Sequence, residues 1–166
     1  MPRLFAPTLV WDARGERLAV NAGAEYIADL YAADRRVASV RRVLAPRPTT
    51  TALARRDIGE KGMRIGLPVG ECFIPADEVI EERGITDVIP AIRDVAVAPD
   101  GTLWIQRRVA RDELAPIDII VPDGAYLGTL PPGSPFPAEF LPDGRIAVLE
   151  EDDLGVQHVV VYQVRR

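Results

Sequence analysis

The sequence holds one cysteine, one histidine, one lysine and one asparagine in 166 residues. Cys72 alone excludes an internal disulfide framework. It lies in Gly70-Glu71-Cys72-Phe73, an apolar setting with no neighbouring histidine to lower its pKa, and reads as a structural or incidental thiol. With only His158 to accompany Cys72, a conventional structural zinc site lacks its ligands. Ser-His-Asp chemistry would have to join His158 to Ser39 or Ser134, and neither serine has a nucleophile-elbow context. Aromatic residues are 6% and the net charge is −5, which argues against nucleic-acid and anionic-membrane partners. Lys61 is the only lysine among the 20 basic residues, an arginine bias that reads as coding composition rather than recognition. No apolar run approaches the roughly 18 residues of a membrane span. Met1 to Pro7 has no long apolar segment or cleavage pattern, so the chain as given reads as cytoplasmic, or as periplasmic or secreted if an upstream leader is missing.

What is present is a set of short apolar segments around tight turns. Val95-Ala96-Val97 leads into Pro99-Asp100-Gly101, and Thr102 to Ile105 follows. Ile117 to Val121 leads into Pro122-Asp123-Gly124, and Ala125 to Thr129 follows. Phe140-Leu141 leads into Pro142-Asp143-Gly144, and Arg145 to Leu149 follows. Each is strand, turn, strand: Pro fixes φ, Asp bonds its own backbone and Gly takes the positive φ. Asp100 and Asp143 are 43 residues apart, with Asp123 23 residues after the first. One period therefore holds two hairpins, the spacing of a four-stranded propeller blade. A weaker copy opens the chain, with expected turns at Asp12–Gly15 and Ala32–Arg35.

The segment 45–91 breaks this period. Pro75 to Gly84 predicts one short helix, with Pro near its start and Gly after its end. Gly59, Gly62, Gly66 and Gly70 predict a flexible loop rather than a phosphate loop, because no Gly-Lys-Ser/Thr follows.

The stretch Asp94-Val95-Ala96-Val97-Ala98-Pro99-Asp100-Gly101-Thr102-Leu103-Trp104-Ile105 resembles the blade signature of bacterial six-bladed β-propellers of the NHL-like and TolB-like kind. Ile117 to Gly128 resembles the second hairpin of the same blade, and Glu150 to Tyr162 that family's final blade. The resemblance implies an all-β fold of about three four-stranded antiparallel propeller blades, a partial or half propeller, with one loop/helix insertion. Blade one would span 8–44, the insertion 45–91, blade two 92–131 and blade three 136–164, the last with three strands and no fourth. A ring closes with roughly four to eight blades. The chain is therefore expected either to self-associate or to be the C-terminal half of a larger six-bladed propeller.

Two functional readings follow. The first is a non-enzymatic binding or protein-interaction module, because no catalytic constellation accompanies the repeats. The second is a hydrolase of the lactonase-like propeller type using acidic residues, with or without calcium. Glu150-Glu151-Asp152-Asp153 offers hard oxygen ligands for calcium, but reads first as a solvated hairpin loop. Such lactonases gather Glu, Asn and Asp around a central channel, and Asn21 is the only asparagine here. Arg107 and Arg108, after Trp104, form a small basic-aromatic patch at a strand end. The candidate ligand- or partner-binding residues are Asp94, Trp104, Arg107, Arg108, Glu150 and His158. No catalytic residue, metal ligand or cofactor is expected, and the expected partner is a protein or a second copy of the chain.

Overall fold

A computed structural model describes residues 1–59, 62–67, 70–111 and 113–164. Lys61 and part of the glycine-rich stretch lie outside them. The described residues are mostly β, in four antiparallel sheets, none of them closed.

The first sheet is a meander of β1 (Val10–Arg14), β2 (Arg17–Asn21), β3 (Ile27–Ala32) and β4 (Arg35–Arg41), paired in that order. The second is a meander of β7 (Ile92–Val97), β8 (Leu103–Arg107), β9 (Ile117–Ile120) and β10 (Tyr126–Leu130). The third holds β11 (Glu139–Phe140), β12 (Arg145–Glu151) and β13 (Gln157–Gln163).

The Pro-Asp-Gly turns explain why these strands fold back where they do. In each, the Gly N–H returns to the carbonyl three residues earlier: Gly101 to Ala98, Gly124 to Val121 and Gly144 to Leu141. The Asp carboxylate accepts the N–H two residues on, at 2.9–3.2 Å. The three glycines have φ of 84°, 89° and 80°, the left-handed region that closes a three-residue hairpin loop. At Gly124 a Cβ would meet nothing within 4 Å, so a substitution there isolates the backbone cost. Gly124→Ala is expected to destabilise by about 1 kcal/mol. Thermal unfolding should therefore fall by roughly 2–4 °C, and an unchanged midpoint would refute the turn assignment.

The first hairpin differs from expectation. Asp12 is paired within β1 and the loop is Gly15-Glu16, with Gly15 at φ 60°. A two-residue loop needs only that one glycine, which leaves Asp12 in the strand and free to reach across to the next sheet.

Strand alternation sorts the side chains into layers. Val10, Ala19, Ala28 and Val40 of the first sheet, with Tyr26 just before β3, pack on Ile92, Val95, Val97, Leu103, Ile105 and Ile120 of the second. The opposite face of the second sheet presents Ala96, Trp104, Ile117 and Ile119, against which Phe136, Phe140 and Val164 pack. The second sheet is therefore covered on both faces, which is why β9 reads Ile-Asp-Ile-Ile rather than alternating apolar with polar.

The edge strands of these sheets meet through side chains. Asp12 Oδ2 accepts the Val97 N–H at 2.6 Å, and Arg14 Nε donates to the Val97 carbonyl at 2.9 Å. The same Arg14 pairs with Glu139 of β11 and lies over the Phe140 ring. At Val97 the β7 edge, which would otherwise present unpaired backbone groups, is thus capped by β1.

Segment 45–91 holds more structure than the single helix expected. α2 (Ala76–Arg83) forms where the Pro and Gly signals place it, with Gly84 at φ 67° after its end. A second helix, α1 (Thr51–Ile58), precedes it, capped by Thr50 Oγ1 accepting the Leu53 N–H at 3.1 Å. Between them β5 (Met63–Leu67) and β6 (Gly70–Ile74) form a hairpin where a flexible loop was expected. Cys72 lies opposite Ile65 on that hairpin and is exposed, so its setting is not the apolar one its neighbours suggest. Leu53 and Ala54 of α1 join Leu4, Phe5, Ile89 and Ala110 in a separate small core. Arg55 of α1 pairs with Asp77 of α2 at 2.7 Å.

Candidate functional site

Asp118 is the one buried acidic side chain among the described residues, and it sits in the middle of β9. A carboxylate withdrawn from water needs partners on every lone pair, and two strands and two residues flanking strands supply them. Tyr26, just before β3, donates its hydroxyl to Oδ2 at 2.8 Å. Arg107 from β8 forks onto both oxygens, Nε at 2.8 Å and Nη2 at 2.6 Å. Thr129 of β10 donates to Oδ1. Arg42, just after β4, places Nη1 2.9 Å from Oδ1, yet that nitrogen finds no well-aligned hydrogen-bond acceptor. The Arg42 guanidinium also lies over the Tyr126 ring at 4.6 Å. Sheet alternation explains the gathering: Ile105, Arg107, Asp118 and Thr129 all fall on the face that packs against the first sheet.

Burial alone would raise the Asp118 carboxyl, but the hydrogen bonds from Arg107, Thr129 and Tyr26 outweigh it and hold it at about 2. Burial and the Asp118 carboxylate push the Tyr26 hydroxyl far above its ordinary value. Arg107 is held more firmly protonated by its bond to Asp118. The cluster is a fixed carboxylate with two cations around it, carrying one net positive charge.

Next to this cluster a cleft of about 860 Å³ opens between the first two sheets. Its walls come from the strand ends and linkers around 24–27, 41–47, 88–91 and 107–109, with Pro116. Arg41, Arg42, Arg47, Arg107 and Arg108 all reach it. Arg47 is paired with Glu113 at 2.6 Å, which keeps that carboxylate below its usual range. Arg108 lies 5.7 Å from the Phe5 ring centre.

The six residues singled out in the sequence do not form one site. Arg107 and Arg108 are at the cleft, but Trp104 projects from the opposite face of β8. There it is buried, edge-on to Phe140, beside a second cleft of about 910 Å³ between the ends of the second and third sheets. The basic-aromatic patch around Trp104 is therefore not assembled, because residues 104 and 107 differ by an odd number of strand positions. Asp94 sits at the bulge in β7 and accepts the Val95 N–H at 2.9 Å. Burial raises its carboxyl above the ordinary value, against the opposing pull of that bond. Glu150 and His158 face each other across β12 and β13 but have other partners. Glu150 accepts from the Tyr162 hydroxyl, and His158 pairs with Asp152 at 2.9 Å. His158 is an exposed strand-face residue.

The acidic run around them serves the hairpin turn. Asp152 Oδ1 accepts the N–H groups of Leu154 and Val156, which with His158 holds its carboxyl low. Among the described residues no group of three His, Cys, Asp or Glu side chains is placed to hold a metal ion. Asn21 is buried and donates to the carbonyls of Glu25 and Ile27, closing the β2–β3 loop.

The remaining surface of interest is the pair of outer sheet faces. On the first sheet, Trp11 and Val20 sit opposite each other on the face turned away from the core, and Trp11 is 60% exposed. On the third sheet, Ala147, Leu149, Val159 and Val161 share the outward face, and the last three are exposed. The two faces lie at opposite ends of the three-sheet stack. Neither a protein-family model, nor a curated protein, nor a solved structure matches the chain. No helix among the described residues is long and apolar enough to cross a membrane.

Sequence reasoning missed Asp118, Tyr26 and Arg42. The signal that could have found the first was a lone charged residue inside the apolar run Ile117 to Val121, since a charge is almost never fully buried without partners.

Proposed function

We propose that this chain is a β-propeller-type protein-interaction module of the six-bladed, NHL-like or TolB-like kind, and that its partner is a second copy of itself. The observation that carries the reading is the pair of uncovered sheet faces at the two ends of a three-sheet stack, with Trp11 exposed beside Val20 on the first and Leu149, Val159 and Val161 exposed on the third. Three sheets are half of a six-bladed ring. Two copies related by a two-fold axis would set the outer face of the first sheet on the partner's third sheet, twice, and leave neither face in water.

Other features agree with this reading. Each of the three sheets begins at the edge where β1, β7 and β11 meet through Asp12, Arg14 and Glu139, the placement of first strands around a propeller axis. The charges are complementary as well. The last strand of the first sheet carries exposed Arg35 and Arg36, while the third sheet's hairpin carries exposed Glu150, Glu151, Asp152 and Asp153. The reading is non-enzymatic: the polar cluster around Asp118 is engaged in joining two sheets.

Light scattering on the purified chain tests it. The expected mass is twice the 18.2 kDa of one chain. A folded species of single-chain mass at tens of micromolar would overturn the reading.

A further inference from the structure

We infer that the cleft between the first two sheets binds a small organic anion, a carboxylate carried on an apolar body. The inference concerns a surface within one chain and holds whether or not a ring closes.

Size admits such a ligand. At about 860 Å³ the cleft falls in the range of small-molecule sites, roughly 300–1,000 Å³. Charge selects its sign. Five arginines reach the cleft against one lining carboxylate, Glu25, in a chain whose net charge is −5. Asp118 is shared by Arg42 and Arg107, so that trio keeps one positive charge. Arg47 is balanced by Glu113. Arg41 and Arg108 add their charges with no carboxylate within ion-pair distance among the described residues. An acidic protein thus gathers a surplus of positive charge at one concave place.

The walls select the body of the ligand. Tyr26, Ile27, Leu44, Ile89, Pro90 and Pro116 line the cleft. A fully hydrated inorganic ion gains nothing from such walls, whereas an alkyl or aromatic chain buries surface there. The planar guanidinium fork matches a carboxylate and is less strongly hydrated than an ammonium. Two of the arginines are also already held in place by Asp118, so a ligand need not order them.

Calorimetric titration of the full chain with octanoate, octanol and inorganic phosphate is the test. Octanoate is expected to bind at one site, with affinity falling as salt rises. Octanol and phosphate are each expected to bind at least about tenfold more weakly. The double variant Arg41→Ala/Arg108→Ala should weaken octanoate by at least about tenfold while its unliganded melting temperature stays near that of the parent. Ala45→Trp, which fills the cleft without removing a charge, should abolish binding. Octanol or phosphate binding as tightly as octanoate would overturn the inference. So would octanoate binding that survives both variants, or that is lost only with Trp11→Ser, which would put the ligand on the open face of the first sheet.

Discussion

Asp118→Ala is expected to lower the stability of the chain by about 3 kcal/mol, the cost of leaving two partly buried arginines and the buried Tyr26 hydroxyl without their partner. Removing the carboxylate strips the acceptor from Arg107, Tyr26 and Thr129 together, and leaves Arg42 and Arg107 facing each other across the vacated space. A domain of this size is stable by roughly 5–15 kcal/mol, so a large share of the total is at stake. The melting temperature should fall by on the order of 10 °C. Asp118→Asn should cost less, because the amide keeps the shape and one acceptor oxygen. An Asp118→Ala variant that melts with the parent would refute the network.

The same carboxylate sets an acid limit. Its folded pKa, about 2, lies below the ordinary aspartate value of 3.8. Folding therefore holds the ionised form more tightly, and the associated stability is present above pH 4. It is lost as pH falls from about 4 towards 2, by on the order of 2 kcal/mol. The sign reverses for Tyr26, whose folded pKa is raised. Its contribution is present below pH 10 and is lost as pH rises and the unfolded tyrosine ionises. Stability of Asp118→Asn measured by urea titration should be flatter than that of the parent between pH 4 and pH 2.

Val161→Arg is expected to convert the proposed dimer to a single chain of unchanged fold. Val161 is 45% exposed in the centre of β13, on the outward face, so an arginine there meets only water in the isolated chain. In a two-fold ring the same side chain would be buried at both interfaces. A loss of about 2 kcal/mol at each would weaken association roughly a thousandfold. Light scattering should report one chain at concentrations where the parent is paired, with circular dichroism unaltered. Leu114→Arg, an exposed leucine on the β8–β9 loop, should leave the mass as it was. A Val161→Arg variant that pairs as tightly as the parent would remove the third sheet's outer face from the proposed interface.

The parts of the fold that were legible in the sequence are those whose signals are local. The turns at Asp100, Asp123 and Asp143 carry all their determinants within four residues, and the helix after Pro75 carries its start and stop signals in ten. The hairpin β5–β6 was obscured because its glycines outweigh the alternation of Met63, Ile65, Cys72 and Ile74. The α1 helix has a good cap in Thr50, but its buried face is only Leu53 and Ala54, too narrow a stripe to show a period. The Asp118 cluster was illegible for a different reason. Arg107, Asp118 and Thr129 meet across paired strands, and only the packing of one sheet on another brings Tyr26 and Arg42 to them. Arg107 and Arg108 were singled out for their charge, yet which of them faces the carboxylate depends on strand parity relative to a partner sheet. The outer faces were foreseen only as a count: three sheets where a ring needs more.

The middle position of the second sheet has a consequence for how the chain holds together. Each outer sheet touches the middle one, so stability propagates along the stack much as it does in a solenoid, through nearest-neighbour terms. The middle sheet is the shared term in both. Fluctuations that open the first or third sheet are local and leave a folded remnant, whereas an opening of β7 to β10 removes the support of both neighbours at once. The Asp118 cluster lies on the seam between first and second sheets, so it couples the opening of β3 and β4 to that of the middle sheet. Among the described residues the third sheet has no comparable buried polar tie, only the apolar contacts of Phe136, Phe140 and Val164 and the exposed Arg14–Glu139 pair, and it is the element the stack can release at least cost.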